Sequence, residues 1–280
     1  MRVVLDTGAV RNIIHHDQPA INTDLLAAGR PGIVVSVGEP AFAEIVAAIH
    51  ERRVGWDDWR AAISTLDRIL DPNLPVLPGR RELAEYVAGQ LSTDHMAHIQ
   101  AGWRHIAESQ SPESLIRTSS YRDSAGIERG VTANFQMAQT IRAAVHQEWI
   151  AIVRRMQELL GGQGFSNDQI DAIIRRGFEG IPGRPLDCLD AAVRFLSRTV
   201  SLSINGGGTP YNPESNINDA LDFELLYALA LPDSILCTTD ERLMNIVRST
   251  GSPQANRIIS VGELNRRLTD NSLSELLPPQ

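Results

Sequence analysis

Four acidic residues of this sequence stand at positions where a purely structural role is hard to assign. Asp6 and Asp240 each end a short apolar run with the pattern of a buried strand. Asp222 shares a predicted helix face with leucines three, four and seven residues later, and Glu44 is the only ionisable residue of an otherwise apolar predicted helix. Carboxylates buried in this way require ion pairs or bound cations.

These carboxylates could meet in one crevice, because the carboxyl ends of parallel strands lie at the same edge of a sheet. Asp219, three residues before Asp222, is a fifth candidate. Such a cluster favours Mg²⁺ or Mn²⁺, and a two-metal carboxylate site suits phosphodiester hydrolysis. Each aspartate also has a structural alternative. Asp6 and Asp240 could cap helices, and Asp219 and Asp222 could favour a helix dipole.

The elements that would position these residues alternate between strand and helix at both ends of the chain. Short apolar runs predict strands over 2–5, 33–37, 234–238 and 257–261. Helical spacing predicts helices over 9–29, 41–49, 56–70, 80–90, 218–231, 241–248 and 262–268. This order predicts an α/β fold with a parallel sheet covered on both faces.

The middle of the chain differs, because residues 91–212 show helical periodicity with few strand-like runs. We predict an α/β core over 1–90 and 213–268, a large all-helical insertion over 91–212 and a C-terminal tail over 269–280. Within the insertion, two arginine pairs are candidate phosphate contacts, although arginines on solvated helix faces are common. These pairs are Arg154 with Arg155, and Arg175 with Arg176.

Composition limits the classes of function. The 280 residues carry a formal charge of −8, which argues against broad non-specific adhesion to nucleic acid. All 26 basic residues are arginine. Any nucleic acid would have to be held locally. No apolar stretch is long enough to span a membrane, and no signal-peptide pattern opens the chain. The two cysteines, Cys188 and Cys237, cannot form a disulfide framework, so we expect a reduced, cytoplasmic setting.

Two segments together resemble the PIN-domain nucleases. One is the opening Val-Val-Leu-Asp-Thr-Gly around Asp6. The other is Asn-Asp-Ala-Leu-Asp-Phe-Glu-Leu-Leu-Tyr-Ala-Leu from Asn218, followed by Cys-Thr-Thr-Asp-Glu-Arg-Leu from Cys237. The 18-residue step from Asp222 to Asp240 is similar to the family's spacing. The resemblance covers residues 1–90 and about 213–265, and it does not cover the helical middle.

By this resemblance, a PIN-like core would bind Mg²⁺ or Mn²⁺ through Asp6, Glu44, Asp222 and Asp240, which would be the catalytic acids. Thr238 resembles a hydroxyl that supports the last acid. Ser36 followed by Glu44 resembles the family's second motif, for which Glu39 is a rival acid. The implied activity is endonucleolytic cleavage of RNA rather than DNA, in a toxin, defence or RNA-processing role. A protein inhibitor or antitoxin and a homodimer are the implied protein partners.

Two other interpretations stay open. The triplet Asp6-Thr7-Gly8 also resembles the active-site triplet of aspartic proteases, but the sequence has one such triplet and an α/β order. Alternatively, the fold is a non-catalytic binding module whose insertion recruits a partner. Unneutralised buried acids argue against that role, since they cost stability.

Overall fold

A five-stranded parallel sheet forms the centre of the computed structural model, which describes residues 1–15, 20–28, 32–87, 91–131, 135–179, 186–206 and 211–278. Its strands are β1 (Arg2–Leu5), β2 (Val34–Gly38), β3 (Val76–Leu77), β6 (Ser234–Thr238) and β7 (Ile258–Ser260). They lie in the order β3-β2-β1-β6-β7, and every neighbouring pair is parallel. All four predicted strands match to within one residue at each end. The predicted parallel α/β sheet is therefore confirmed.

In the sequence, each strand of this sheet is followed by a helix. In the first part they are α1 (Thr7–His15), α2 (Thr23–Ala27), α3 (Glu39–His50), α4 (Trp56–Ile69) and α5 (Arg80–Val87). In the last part they are α11 (Ile217–Leu226), α12 (Glu241–Ser249) and α13 (Val261–Asp270). The predicted helix over 9–29 is in fact the two helices α1 and α2. Residues 16–19, 29 and 88–90 of the predicted helices lie outside the described residues.

Both faces of the sheet are buried, because successive strand side chains point to opposite sides. Val3 and Leu5 of β1 pack in one hydrophobic cluster with residues of α1, α3, α4 and α13. Val4, between them, belongs to a second cluster. This two-sided burial explains why the strands are continuous apolar runs.

The middle of the chain adds helices to both hydrophobic clusters. It contains α6 (Thr93–Glu108), α7 (Pro112–Leu115), α8 (Phe135–Leu160), α9 (Asn167–Glu179) and α10 (Leu186–Asn205). Trp149 of α8 and Phe195 of α10 share the second cluster with Val4, so these helices pack in the same core as the sheet. The expectation of an all-helical middle is wrong in one place. Strands β4 (Ser119–Arg122) and β5 (Glu128–Val131) form an antiparallel hairpin there.

No helix among the described residues is long and apolar enough to cross a membrane.

Candidate metal-binding carboxylate site

Asp6 and Asp240 lie at the carboxyl ends of the adjacent strands β1 and β6, and each caps the helix that follows. Asp6 Oδ1 accepts a hydrogen bond from the backbone N–H of Ala9 at 2.6 Å, and Asp240 Oδ1 accepts one from Leu243 at 2.8 Å. Both aspartates therefore have the structural role of a helix N-cap. The positive ends of α1 and α12 point towards this edge of the sheet, which favours negative charge there.

Thr238 connects the two aspartates. Its side-chain hydroxyl donates to Oδ2 of Asp6, while its Oγ1 accepts the backbone N–H of Asp240 at 2.9 Å. Asp6 thus has a hydrogen bond to each carboxylate oxygen and is held in one orientation. Burial nevertheless raises the pKa of Asp6 to about 6. The hydrogen bonds from Thr238 and Ala9 oppose this rise, and repulsion by Asp240 adds to it.

Asp222 on α11 is buried, with 6% of its surface exposed, and it completes the group at this edge. Burial raises the pKa of Asp222 to about 8, and repulsion by Asp240, Asp219 and Asp6 contributes to the rise. Asp222 therefore lies near enough to the other three aspartates for their charges to act on it. We call Asp6, Asp219, Asp222 and Asp240 the carboxylate group.

Arg242, near the start of α12, ion-pairs with the two helical members of this group. Its Nη1 lies 3.4 Å from Oδ2 of Asp222, and its Nη2 contacts Oδ1 of Asp219. Tyr211 also hydrogen-bonds Asp219, and burial raises the pKa of this phenol, with the charge of Asp219 adding to the rise. The Arg242 guanidinium therefore ion-pairs with two of the four carboxylates.

The donor chemistry of the group suits a hard divalent cation, since it consists of carboxylate oxygens. In the arrangement seen here, no three His, Cys, Asp or Glu side chains of the described residues form a ready metal-binding set. Two of the group's members, Asp219 and Asp222, already contact Arg242.

The described contacts of Glu44 are with arginines rather than with the carboxylate group. Its carboxylate contacts Arg11 at 3.2 Å, Arg53 at 3.0 Å and Arg142 at 3.0 Å. Burial alone would raise the pKa of Glu44, but the three guanidinium groups outweigh it and lower the pKa. The helix geometry explains the placement. Helix α3 begins at the sheet edge with Glu39, and Glu44 lies five residues further, roughly 7.5 Å along the axis.

Glu39, the rival to Glu44, belongs to a second acidic group together with Glu82 and Glu224. Burial raises the pKa of Glu39 to about 7, and repulsion by Glu82 and Glu224 adds to the shift. Arg80 binds Glu224, with 3.0 Å between Nε and Oε1. These residues line a cavity of about 230 Å³ together with Gly79, whose lack of a side chain makes room for the Glu39 carboxylate.

Ser36 lies within β2 rather than at its end. It is fully buried, accepts a hydrogen bond from Arg2 and donates to the carbonyl of Leu74. Arg2 in turn binds Asp71 at 2.8 Å. The described contacts of Ser36 therefore join β2 to the segment that leads into β3, and they do not include the carboxylate group.

Three of the four candidate phosphate-binding arginines are ion-paired within the chain. Arg154 binds Glu214 at 2.8 Å, and Arg155 lies 3.6 Å from Glu158. Arg175 binds both Asp171 and Asp190, at 2.7 and 2.9 Å. Arg176 is exposed on α9.

Comparison of the chain with protein-family models, with curated proteins and with solved structures finds no match. The resemblance to PIN-domain nucleases therefore stays a prediction from the two motifs, and the functional argument depends on the site itself. The parallel sheet around Asp6 differs from the all-β frame expected for an aspartic protease.

Sequence reasoning did not identify Arg242 as part of the site, although it stands two residues after Asp240. It also did not identify Arg11, Arg53 and Arg142 around Glu44. Arg242 lies in the first turn of a helix that Asp240 caps, and this position could have identified it as a neighbour of the carboxylates. The partners of Glu44 come from separate elements, and no local spacing connects them.

Proposed function

We propose that the protein is a Mg²⁺- or Mn²⁺-dependent phosphodiesterase of nucleic acids that cleaves RNA endonucleolytically. The observation that supports this most is the convergence of Asp6, Asp219, Asp222 and Asp240 at the carboxyl edge of the parallel sheet. This edge is where open α/β folds bind their ligands. Burial raises the pKa of Asp6 to about 6 and that of Asp222 to about 8, which supports a role for a neutralising cation at this edge.

Asp6, Asp222 and Asp240 would hold the cation, with Asp219 as a further ligand. When bound, a divalent cation activates water and stabilises charge on the phosphate oxygens. The chain itself supplies orientation. Thr238 fixes Asp6 and positions the backbone of Asp240, so that two ligands from adjacent strands are set relative to each other. Arg242 is placed to receive the negative charge of a phosphate once it leaves the aspartates.

Two measurements test this proposal. Thermal unfolding in EDTA, Mg²⁺ and Mn²⁺ reports binding to the folded chain, because a cation at 100 times its Kd stabilises by about 2.7 kcal/mol. Cleavage of a labelled single-stranded RNA and of the matched DNA reports activity. We expect Asp6→Asn and Asp222→Asn to fold, to lose the metal-dependent stabilisation and to lose cleavage. Full cleavage by either variant would remove that residue from the site.

Arg242 favours one alternative, a non-catalytic binding module. Its guanidinium already pairs with Asp219 and Asp222, and the described residues contain no ready metal-binding set. In that case Arg242 would be the permanent counter-ion of the site. The same experiments separate the two proposals, since a permanent counter-ion predicts no stabilisation by millimolar Mg²⁺ or Mn²⁺ and no cleavage.

A further inference from the structure

The three arginines that surround Glu44 form a positively charged cluster on an acidic protein. Arg11 of α1, Arg53 after α3 and Arg142 of α8 meet at this one carboxylate. Among the described residues, Glu51 is the second acid they contact, 2.6 Å from Arg53 and 4.0 Å from Arg142. Three guanidinium groups against two carboxylates leave a surplus of one positive charge, in a chain whose formal charge is −8.

Neutralising Glu44 does not require three arginines. The Glu44 side chain is 8% exposed, whereas those of Arg11, Arg53 and Arg142 are 51%, 32% and 31% exposed. Each guanidinium carries five N–H donors in a planar fork that suits phosphate. Of the Arg11 donors, one hydrogen bond to Glu44 at 3.2 Å is described. The cluster therefore presents donors to solvent while Glu44 holds the arginines in place.

The cluster lies one to two helix turns below the edge that carries the carboxylate group. Asp6 caps α1, and Arg11 follows five residues later, roughly 7.5 Å along the helix axis. Glu44 lies at the same depth on α3, which accounts for its contact with Arg11. A strand with one phosphate at the carboxylate group would therefore bring a neighbouring phosphate within reach of the cluster.

We infer that Arg11, Arg53 and Arg142 bind the phosphate backbone of the nucleic-acid strand, with Glu44 as the residue that positions them. This inference rests on the proposed function, and it assigns Glu44 to substrate binding rather than to the metal. The positive surplus is confined to this cluster. Because the overall charge of the chain is negative, nucleic acid has to be bound at a local positive site of this kind. Contacts to phosphate carry no sequence information, so the cluster should bind strands of any sequence.

Binding is tested apart from cleavage by fluorescence anisotropy in EDTA, with a labelled single-stranded oligoribonucleotide and the matched oligodeoxyribonucleotide. We expect Arg11→Gln and Arg142→Gln each to weaken binding roughly 3- to 10-fold. Each should also reduce the slope of log K against log salt concentration by about 0.7. Weaker binding of DNA than of RNA by the wild type would show that the strand is also recognised through its 2′-hydroxyls.

Arg266→Gln is the matched control. Arg266 is 56% exposed, similar to Arg11, and it pairs with Glu263 and Asp270 on its own helix α13. Arg11→Gln is the more informative variant, because half of the Arg11 side chain is in solvent and its loss should not disturb the fold. Circular dichroism of the variant checks that the fold is kept. Affinities within twofold of wild type together with unchanged salt slopes for Arg11→Gln and Arg142→Gln would overturn the inference. So would equal losses in Arg266→Gln.

The two proposals fail in different ways. If the proposed hydrolysis is wrong, the protein does not cleave RNA and metal does not stabilise it. Oligonucleotide binding in EDTA would still depend on Arg11 in that case. If the inference about the cluster is wrong, cleavage depends on Asp6 and Asp222 but binding does not depend on Arg11 or Arg142.

Discussion

At the scale of single residues, the positive charge of Arg242 offsets part of the negative charge of the carboxylate group. It contacts Asp219 and Asp222, and its charge lowers the pKa of Asp222 against the stronger effect of burial. A guanidinium and a divalent cation at the same aspartates compete for the same oxygens. The side chain is 52% exposed, so it can move into solvent when a cation binds.

We therefore predict that Arg242→Gln binds Mg²⁺ or Mn²⁺ more tightly than the wild type, because the site becomes more negative by one charge. In thermal unfolding, the increase in Tm caused by millimolar metal should be larger in the variant, while its Tm in EDTA should be lower. The lower Tm reflects the unpaired aspartates. An equal or smaller metal-dependent increase would show that Arg242 does not compete with a cation.

Glu39 offers a second prediction at this scale, in the separate acidic group. Its pKa of about 7 lies above the ordinary value of 4.5, mainly because it is buried. A carboxyl with a raised pKa stabilises the fold at pH values below its unfolded pKa, and this contribution is lost as the pH rises through 7. Glu39→Gln removes the charged form and should be more stable than the wild type at pH 8, by up to roughly 3 kcal/mol.

The difference between Glu39→Gln and the wild type should vanish near pH 4, where both side chains are neutral. Urea unfolding at the two pH values measures it. A variant that is no more stable than the wild type at pH 8 would mean that the Glu39 carboxylate is already neutralised in the folded chain.

At the scale of elements, the start of α1 requires a glycine because the loop after β6 packs against it. A Cβ at Gly8 would lie 1.9 Å from Oγ1 of Thr239 and 3.2 Å from its Cβ. Thr239 is β-branched and cannot move both atoms away by changing one rotamer. Gly8 therefore leaves room for the Thr239 side chain beside the start of α1.

We predict that Gly8→Ala destabilises the protein by about 1–3 kcal/mol, the usual cost of forcing extra atoms into a packed site. Replacing Thr239 with Ala in the same chain should recover part of this loss, because the closest atom is then absent. Gly177→Ala is the matched control. It lies within α9 with no atom near the added Cβ, so it should stabilise by up to about 1 kcal/mol. Equal effects of the two alanines in chemical unfolding would contradict this account.

The same scale shows what the sequence predicts well. Buried parallel strands are short apolar runs, and their carboxyl ends must share an edge, so the positions of Asp6 and Asp240 follow from the pattern. The helix-face argument places Asp222 inward, as observed. The hairpin of β4 and β5 was missed because Ser119–Arg122 and Glu128–Val131 are largely polar and lack an apolar alternation.

Glu44 shows why the rest of the site could not be predicted. Its burial was expected from the apolar helix around it, and it is buried. Its depth below the sheet edge depends on where α3 begins, and its ion pairs depend on α8 packing against α3. Arg142 is 98 residues away in sequence, so tertiary packing alone brings it to Glu44.

At the scale of the whole molecule, the raised carboxyl pKa values make stability depend on pH. Asp6, Glu39 and Asp222 have pKa values of about 6, 7 and 8. Between pH 5 and 8 the folded chain therefore holds more protons than the unfolded chain at these groups, and its stability falls as the pH rises. Groups with lowered pKa values, such as Glu44 and Asp190, lose their contribution only at lower pH.

We predict that the free energy of unfolding in EDTA decreases steadily from pH 5 to pH 8, and that Mg²⁺ or Mn²⁺ reduces this decrease. A cation replaces the protons at Asp6 and Asp222, so it competes with protons at pH 6 and binds more freely at pH 8. The metal-dependent stabilisation should therefore be larger at pH 8 than at pH 6. It should persist in Glu39→Gln, whose substitution lies in the other acidic group, and disappear in Asp222→Asn. Equal metal-dependent stabilisation at both pH values would mean that the cation does not bind at the protonated aspartates, and the carboxylate group would then lose its assignment as the metal site.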